Sequence, residues 1–325
     1  MSDIVEKLLG SKEPSVRLKV AIGVLNQDPY SFETMLQREE IRHSPRVQAL
    51  LSERDEHGRI PYHPYTKWYG AHWVLATLAD IGYPPGDESL LPLRDQVYDW
   101  LLSKRHENSI KATNGRVRRC ASQEGNALYS LLALGLADEH TEELAERLIK
   151  WQWPDGGWNC DKRPEAVNSS FMETLIPLRG LAWHGKFTGS GRSMAAARRA
   201  GNIFLKRRLF KRQSDGSNIS PDFVKLHYPC YWHYDILFAL KVMAEAGFIR
   251  DPRCHEALDL LESKRLEDGG FPAEGKYYKV TDKHTSGRSL VGWDTTSAKR
   301  MNEFVTADAL TVLKAAGRPV SPPDP

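Results

Sequence analysis

The fold of this chain is decided by Gln152-Trp153-Pro154-Asp155-Gly156-Gly157-Trp158, which follows a predicted helix over residues 141–151. Residues 268–271, Asp-Gly-Gly-Phe, repeat this turn after another predicted helix, and residues 215–216 and 55–58 are fainter copies. Adjacent glycines permit left-handed backbone conformations, and an Asp before them can bond its own backbone. A helix-end turn that recurs along a chain indicates a repeated structural unit.

Two kinds of helix alternate between these turns. Outer helices carry charges on one face and apolar residues on the other, whereas inner helices are apolar on nearly every side and are therefore expected to be buried. The predicted outer helices are 45–52, 90–103, 141–151, 194–210 and 252–264, and the inner ones are 68–81, 126–136, 173–182, 231–246 and 303–316. Residues 13–25 and 31–41 form a sixth, irregular pair or a cap.

Helix pairs in this order predict an all-α protein, an α/α toroid of about five to six inner and outer pairs. Short connections make neighbouring helices antiparallel, and five or six pairs suit ring closure better than an open solenoid. We expect an N-terminal cap or irregular first pair over residues 1–43, one toroid domain over 44–318, and a loose tail over 319–325.

The Gln-x-x-Asp-Gly-Gly-Trp turn resembles the QW motif of squalene-hopene cyclases and related terpene cyclases, whose barrel also occurs in protein prenyltransferase β subunits. The resemblance in architecture covers about residues 45–317, but only one turn matches the motif fully. It implies a terpene cyclase-like activity. The Asp-x-Asp-Asp acid of class II cyclases, the Asp-Asp-x-x-Asp magnesium motif and the local sequence of the prenyltransferase zinc site are absent.

Composition excludes several classes of function. The net charge of +3 is too small to favour nucleic-acid binding, and no apolar run is long enough to span a bilayer. A basic stretch over residues 192–212 is read as a solvated helix face, with peripheral contact to an acidic membrane as the alternative. The N-terminus lacks an apolar signal region, and four cysteines without paired spacing predict a cytoplasmic chain with free thiols.

Polar residues concentrate before the inner helices, whose N-terminal ends would converge at one mouth of the toroid. Asp235 is the first candidate for a catalytic acid, because an Asp entering an apolar helix is costly unless it is paired or protonated; a structural hydrogen bond is the alternative. Glu124 and His233 are further acid–base candidates. Glu173 follows them, although the pattern from Ser170 to Glu173 also fits a helix capping box.

A second group of residues is predicted to bind substrate. Aromatic side chains would shape an apolar substrate or stabilise a cationic intermediate, and Arg119 would clamp a carboxylate or phosphate. His72 also reads as a satisfied core residue, and Arg119 as a partner of a local acid. The predicted substrate-binding residues are Tyr62, Trp68, His72, Arg119, Tyr231, Trp232 and Asn302.

No cofactor is expected, with zinc as the alternative. Cys160, Asp161, Cys230 and either His227 or His233 would be its ligands, and the alternative is that the cysteines are free thiols that fill small spaces. The leading hypothesis is an enzyme that performs cyclisation, isomerisation or hydrolysis by acid–base chemistry on a hydrophobic small molecule in an aromatic-lined central cavity. The alternatives are a zinc-dependent transferase or hydrolase and a non-catalytic isoprenoid or lipid binder.

Overall fold

The computed structural model describes residues 3–321, and these residues are predominantly helical. The predicted helix-rich class is therefore confirmed. The helices are α1 Asp3–Leu9, α2 Pro14–Gly23, α3 Phe32–Arg42, α4 Pro45–Leu51, α5 Ala71–Asp80, α6 Leu91–Leu101, α7 Lys104–Ser109, α8 Ser122–Ala133, α9 Glu139–Trp151, α10 Phe171–Thr188, α11 Gly191–Lys206, α12 Ile236–Glu245, α13 His255–Glu262 and α14 Glu303–Ala315.

Short 3-10 helices and strands occupy some of the connections. The 3-10 helices are Glu88–Leu90, Pro221–Val224 and Pro252–Cys254. Strands β1 Lys111–Thr113 and β2 Arg116–Arg118 pair antiparallel, and β3 Lys279–Val280 and β4 Arg288–Ser289 pair parallel. These strands were not predicted, because two or three residues are too few to show an alternating pattern.

The turn over residues 152–158 is a packed helix terminus. Gln152 ends α9, and its side-chain amide donates to the carbonyl oxygens of Gly156 (2.8 Å) and Ala196 (2.9 Å). Gly156 has a φ of 105°, which other residues resist. The Trp158 ring is buried against the helix that has just ended and donates to the Leu148 carbonyl (3.0 Å). These contacts are those of a structural staple between helices.

The second copy of the turn repeats a tertiary contact of the first. Trp158 N–H donates to the Thr174 hydroxyl of α10 at 3.1 Å, and Phe271 N–H donates to the Thr306 hydroxyl of α14 at 2.9 Å. Both threonines are buried on apolar helices. The two halves of the chain therefore share one repeated unit of outer helix, turn and inner helix.

The apolar helices pack side by side. α8 packs against α5 and α10, α10 against α12, α12 against α14, and α14 against α2. Gly125 and Gly180 permit the close approach of α8 and α10, since a Cβ on Gly180 would lie 2.6 Å from the Gly125 carbonyl oxygen. Lys19 of α2 forms an ion pair with Asp80 of α5 at 3.2 Å. The N-terminal segment, predicted to be a cap or an irregular first pair, thus supplies a helix, α2, to this row of packed helices.

Several helix boundaries differ from the prediction. α12 begins at Ile236 and not at 231, because Asp235 caps the helix and Tyr231 has a φ of 49°. α10 continues to Thr188, six residues beyond the predicted end. At the C-terminus, the carbonyl oxygens of Pro319 and Val320 accept hydrogen bonds from Arg265, and residues 322–325 of the predicted tail lie outside the described residues.

Candidate functional site

A buried carboxylate pairs with a histidine at the N-terminal end of α8. Glu124 lies in the first turn of α8 with no exposed side-chain surface, and its Oε1 lies 3.1 Å from His106 Nε2 of α7. Arg119 donates to the same oxygen from Nε (3.1 Å) and Nη2 (2.9 Å). Glu124 Oε2 is buried without a hydrogen-bond partner in the described part of the chain. Buried acceptors without a partner are uncommon in folded proteins.

His106 also faces a pocket. This His106 pocket has a volume of about 470 Å³ and is lined by ten residues, among them Trp100, His63, Pro64 and Arg105. The Trp100 ring lies edge-on to His106 at 5.5 Å. Burial, with the nearby His106 and Arg105 charges, lowers the pKa of His63. The His106 imidazole therefore forms part of the pocket wall, and the buried Glu124 carboxylate contacts its Nε2 atom.

Glu173 does not cap the N-terminus of its own helix. The Ser170 side chain makes no capping bond, and Glu173 instead accepts a hydrogen bond from the backbone N–H of Ser122 at 3.0 Å, which joins α10 to α8. The capping box read from the sequence was therefore wrong. Burial raises the pKa of Glu173. Its Oε1 lies 3.8 Å from the Cys160 thiol, and the Cys120 thiol is the third member of this group.

Asp235 is fully buried, and both of its carboxylate oxygens accept hydrogen bonds. Oδ1 accepts from the Phe238 N–H (2.7 Å) as the cap of α12, and Oδ2 accepts from the His227 N–H (2.9 Å) and lies 2.7 Å from His227 Nδ1. Its imidazole partner is therefore His227. These contacts fit the structural alternative that the sequence left open, because two backbone N–H groups and the His227 ring occupy both oxygens of the Asp235 carboxylate.

The predicted aromatic substrate-binding residues form a stack. The Trp68 and Tyr231 rings are parallel at 4.0 Å, and His233 lies between Trp232 (4.0 Å) and Tyr277 (3.5 Å). Burial, with His227 nearby, lowers the pKa of His233 to about 3. At neutral pH His233 is therefore an uncharged ring in an aromatic stack.

The remaining predicted substrate-binding residues have structural partners. His72 is buried beside Asn126 (3.3 Å), and burial together with the Arg119 charge lowers its pKa to about 3. Asn302 caps α14 and donates to the Trp293 carbonyl at 2.9 Å. Tyr62 packs against the rings of Tyr69 and His284.

The four predicted zinc ligands do not come together. Cys160 groups with Cys120 and Glu173, whereas Cys230 groups with His227 and Asp235. Asp161 pairs instead with Arg163, and the hydrogen bonds from Arg163 lower the pKa of Asp161 to about 2. The single cluster that the sequence suggested is therefore divided between two places, because its members precede different inner helices.

Charged side chains fill the space between the inner helices. Lys241 lies 2.7 Å from Asp80 and 3.0 Å from Asp308, and Lys19 lies 2.8 Å from Asp308. Arg179 pairs with Glu245 at 2.6 Å. We call these six residues the central charge cluster. The cavity beside it has a volume of about 40 Å³, which is room for roughly three water molecules.

A serine on α11, a histidine on α10 and a glutamate on α9 are arranged like the three residues of a catalytic triad. His184 Nδ1 lies 2.9 Å from Ser193 Oγ, and His184 Nε2 lies 2.9 Å from Glu142. Ser193 has no exposed surface, however, and no substrate carbonyl can reach a nucleophile there. The arrangement connects three helices and is structural.

Two important groups were missed by the sequence reasoning. Nothing in its local sequence marks His106, because its role depends on Glu124 from another helix. Asp80, Lys241 and Asp308 could have been found by the argument applied to Asp235, since each is an ionisable residue in an otherwise apolar helix.

Comparisons with known proteins do not name the function. No family model and no curated protein matches the chain. No helix within residues 3–321 combines the length and the apolar character needed to cross a bilayer. The geometry of the His106 pocket is therefore the basis for a functional proposal.

Proposed function

We propose that this chain is an enzyme with the α/α toroid architecture of the terpene cyclase-like superfamily, and that it transfers a proton to or from a small molecule bound in the His106 pocket. The toroid proposal is supported by the inner layer, in which α2, α14, α12, α10, α8 and α5 pack in succession and the Lys19–Asp80 ion pair joins the first to the last. The resemblance of the QW turn is consistent with this architecture.

The proposal is carried by one observation: His106 lines a pocket of about 470 Å³ and is held at 3.1 Å by the buried carboxylate of Glu124. A general acid–base group works best when a further group fixes its orientation and stabilises its protonated form. Among residues 3–321, His106 Nδ1 makes no hydrogen bond and is the nitrogen that would exchange the proton with a substrate. Glu124 and Arg119 would together hold the ring, since Arg119 Nη2 lies 2.5 Å from His106 Nε2 and also donates to Glu124.

The lining of the pocket suggests the class of substrate. Trp100 and Pro64 offer apolar surface, and Arg105 and His63 offer positive or hydrogen-bonding groups beside it. This combination fits a molecule with an apolar body and a polar or anionic end, as in an isoprenoid alcohol or its diphosphate. The cavity of about 40 Å³ beside the central charge cluster is too small for such a molecule, so the proposal places the substrate at the His106 pocket.

The test is an incubation of the purified full chain with farnesol, farnesyl diphosphate and squalene, followed by product analysis with gas chromatography and mass spectrometry. We expect turnover of at least one, and His106→Gln should lower it by about 10²–10⁴-fold, the usual contribution of general acid–base catalysis. His57→Gln is the matched control, because His57 is exposed and does not line the His106 pocket. Binding without turnover by the wild-type chain would instead support the non-catalytic isoprenoid binder, and an unchanged rate in His106→Gln would refute the proposed role.

A further inference from the structure

We propose that Cys120, Cys160 and Glu173 form a zinc site at the N-terminal ends of α8 and α10. The donor atoms of the three side chains all lie within 4.8 Å of one another, although they come from three separate segments of the chain. This inference goes beyond the function proposed above and does not depend on it, since none of the three residues belongs to the His106 pocket.

The distances suit a tetrahedral ion. Zinc binds thiolate sulfur at about 2.3 Å and carboxylate oxygen at about 2.1 Å, and a tetrahedral angle then separates the two donors by roughly 3.6 Å. Cys160 Sγ lies 3.8 Å from Glu173 Oε1. All three residues are partly exposed, so an ion can enter and a fourth position remains for water or a substrate.

The backbone holds the two cysteines together. The segments that end in Cys120 and Cys160 are joined by a parallel bridge between Arg118 and Asn159 and by a hydrogen bond from Arg119 N–H to the Asn159 carbonyl at 3.3 Å. The two thiols are therefore brought together by the fold itself. A site that is formed in advance loses little conformational entropy when the metal binds.

Glu173 is oriented in a similar way. The Ser122 N–H binds its Oε2 at 3.0 Å, which directs Oε1 towards Cys160. Second-sphere hydrogen bonds of this kind fix metal ligands in proteins.

The other cysteine-containing group is a poorer site. Asp235 already accepts hydrogen bonds on both oxygens, and the Cys230 thiol is directed to the His227 carbonyl at 3.8 Å. Two thiolates, one carboxylate and an open position make up the donor set of a catalytic type of zinc site. The chemistry and the hydrogen bonds therefore both favour the group around Cys160.

The experiment is a zinc titration of the full chain, stripped with EDTA and reduced, in competition with a chromophoric chelator. We expect one zinc per chain with submicromolar affinity, and thiolate-to-metal charge-transfer absorption when cobalt(II) is used. Cys120→Ser and Cys160→Ser should each weaken binding by more than the 10–100-fold that loss of an outer-sphere partner typically costs. Glu173→Gln should weaken it by at least about 10-fold.

Cys230→Ser is the matched control, because it removes a half-buried thiol from the competing group. It should bind zinc as the wild-type chain does, and zinc should raise the unfolding temperature of both proteins but not that of Cys160→Ser. The proposal is overturned if the wild-type chain binds zinc no more tightly than Cys160→Ser, or if Cys230→Ser is the variant that loses the metal. Neither readout involves turnover, so failure here is distinct from failure of the acid–base proposal.

Discussion

Glu124 Oε1 lies 3.1 Å from His106 Nε2, and at most 7% of either side chain is exposed to solvent. The same carboxylate is the ion-pair partner of Arg119. Glu124→Gln therefore leaves a largely buried guanidinium without its counter-charge, and we expect the free energy of unfolding to fall by about 3–5 kcal/mol. Urea unfolding followed by circular dichroism measures this change.

His106→Gln should lower the free energy of unfolding by less than Glu124→Gln does. It preserves the Arg119–Glu124 pair and removes the contacts of His106 Nε2 with two charged groups, Glu124 and Arg119, of which one is a hydrogen bond in any one tautomer, so its cost should be about 1.5–3 kcal/mol. If the two variants are equally stable, Glu124 does not act as the counter-charge of Arg119. If His106→Gln is the less stable of the two, the ring has a packing role that outweighs its partnership with Glu124.

The central charge cluster predicts a stability that depends on pH. Burial alone would raise the pKa of Asp80, but the charges of Lys19, Lys241 and Arg179 outweigh it and hold that pKa well below the ordinary value. A depressed pKa stabilises the fold above the unfolded value of about 3.9, and this stability is lost as the pH falls through the folded pKa. We therefore expect the free energy of unfolding to decline below about pH 4.

Asp80→Asn tests this origin of the acid sensitivity. At pH 7 it leaves three cations in the cluster against Asp308 and Glu245, so we expect a loss of about 3 kcal/mol and a flatter profile below about pH 4. Asp282→Asn is the control, because Asp282 is exposed. If the free energy of unfolding of Asp80→Asn falls at low pH as steeply as that of the wild-type chain, other carboxylates cause the acid sensitivity.

The decline of the free energy of unfolding at high pH is expected to depend on Lys241. Burial alone would lower its pKa, but Asp308 and Asp80 raise it well above the ordinary value. A raised pKa gives stability that is complete below the unfolded value of about 10.4 and is lost as the pH rises through the folded pKa. Urea unfolding should therefore show no loss from this lysine up to about pH 10, and Lys241→Met should remove part of the decline at higher pH.

The helical layers could be predicted because their signals are local. Apolar periodicity, small residues and the Asp-Gly-Gly turns follow from the chain itself, and the structure places helices at each predicted inner segment. Boundaries were less predictable, because a cap depends on side-chain bonds. Asp235 shows this: its pairing with the N–H groups of Phe238 and His227 moved the start of α12 by five residues.

The candidate sites could be predicted only in part. The sequence identified Glu124, Glu173 and Cys160 as polar residues before buried helices, but it could not show their partners. His106 meets Glu124, and Cys120 meets Cys160, through contacts between segments that are 18 and 40 residues apart. Such pairings are set by tertiary packing and not by spacing along one helix.

The repeated turn predicts that replacing either of two distant threonines lowers the free energy of unfolding by the same amount. Thr174→Val and Thr306→Val each remove the acceptor for a buried N–H, that of Trp158 or Phe271. An unsatisfied buried donor costs about 1–3 kcal/mol, so both variants should lose that amount. Thr77→Val is the control, since Thr77 is buried on α5 and its hydroxyl makes no hydrogen bond to residues 3–321. A large difference between the first two would mean that the turns are not equivalent.

Ser193 is predicted to be unreactive although it has the neighbours of a catalytic serine. Its hydroxyl lies 2.9 Å from His184 Nδ1, but the residue is completely buried in the first turn of α11. A fluorophosphonate probe should therefore leave the folded chain unlabelled. Ser193→Ala should retain any activity found with the isoprenoid substrates and lose about 1–3 kcal/mol of stability, because His184 loses its partner. Labelling at Ser193, or loss of turnover in a folded Ser193→Ala chain, would make this serine and not His106 the centre of catalysis.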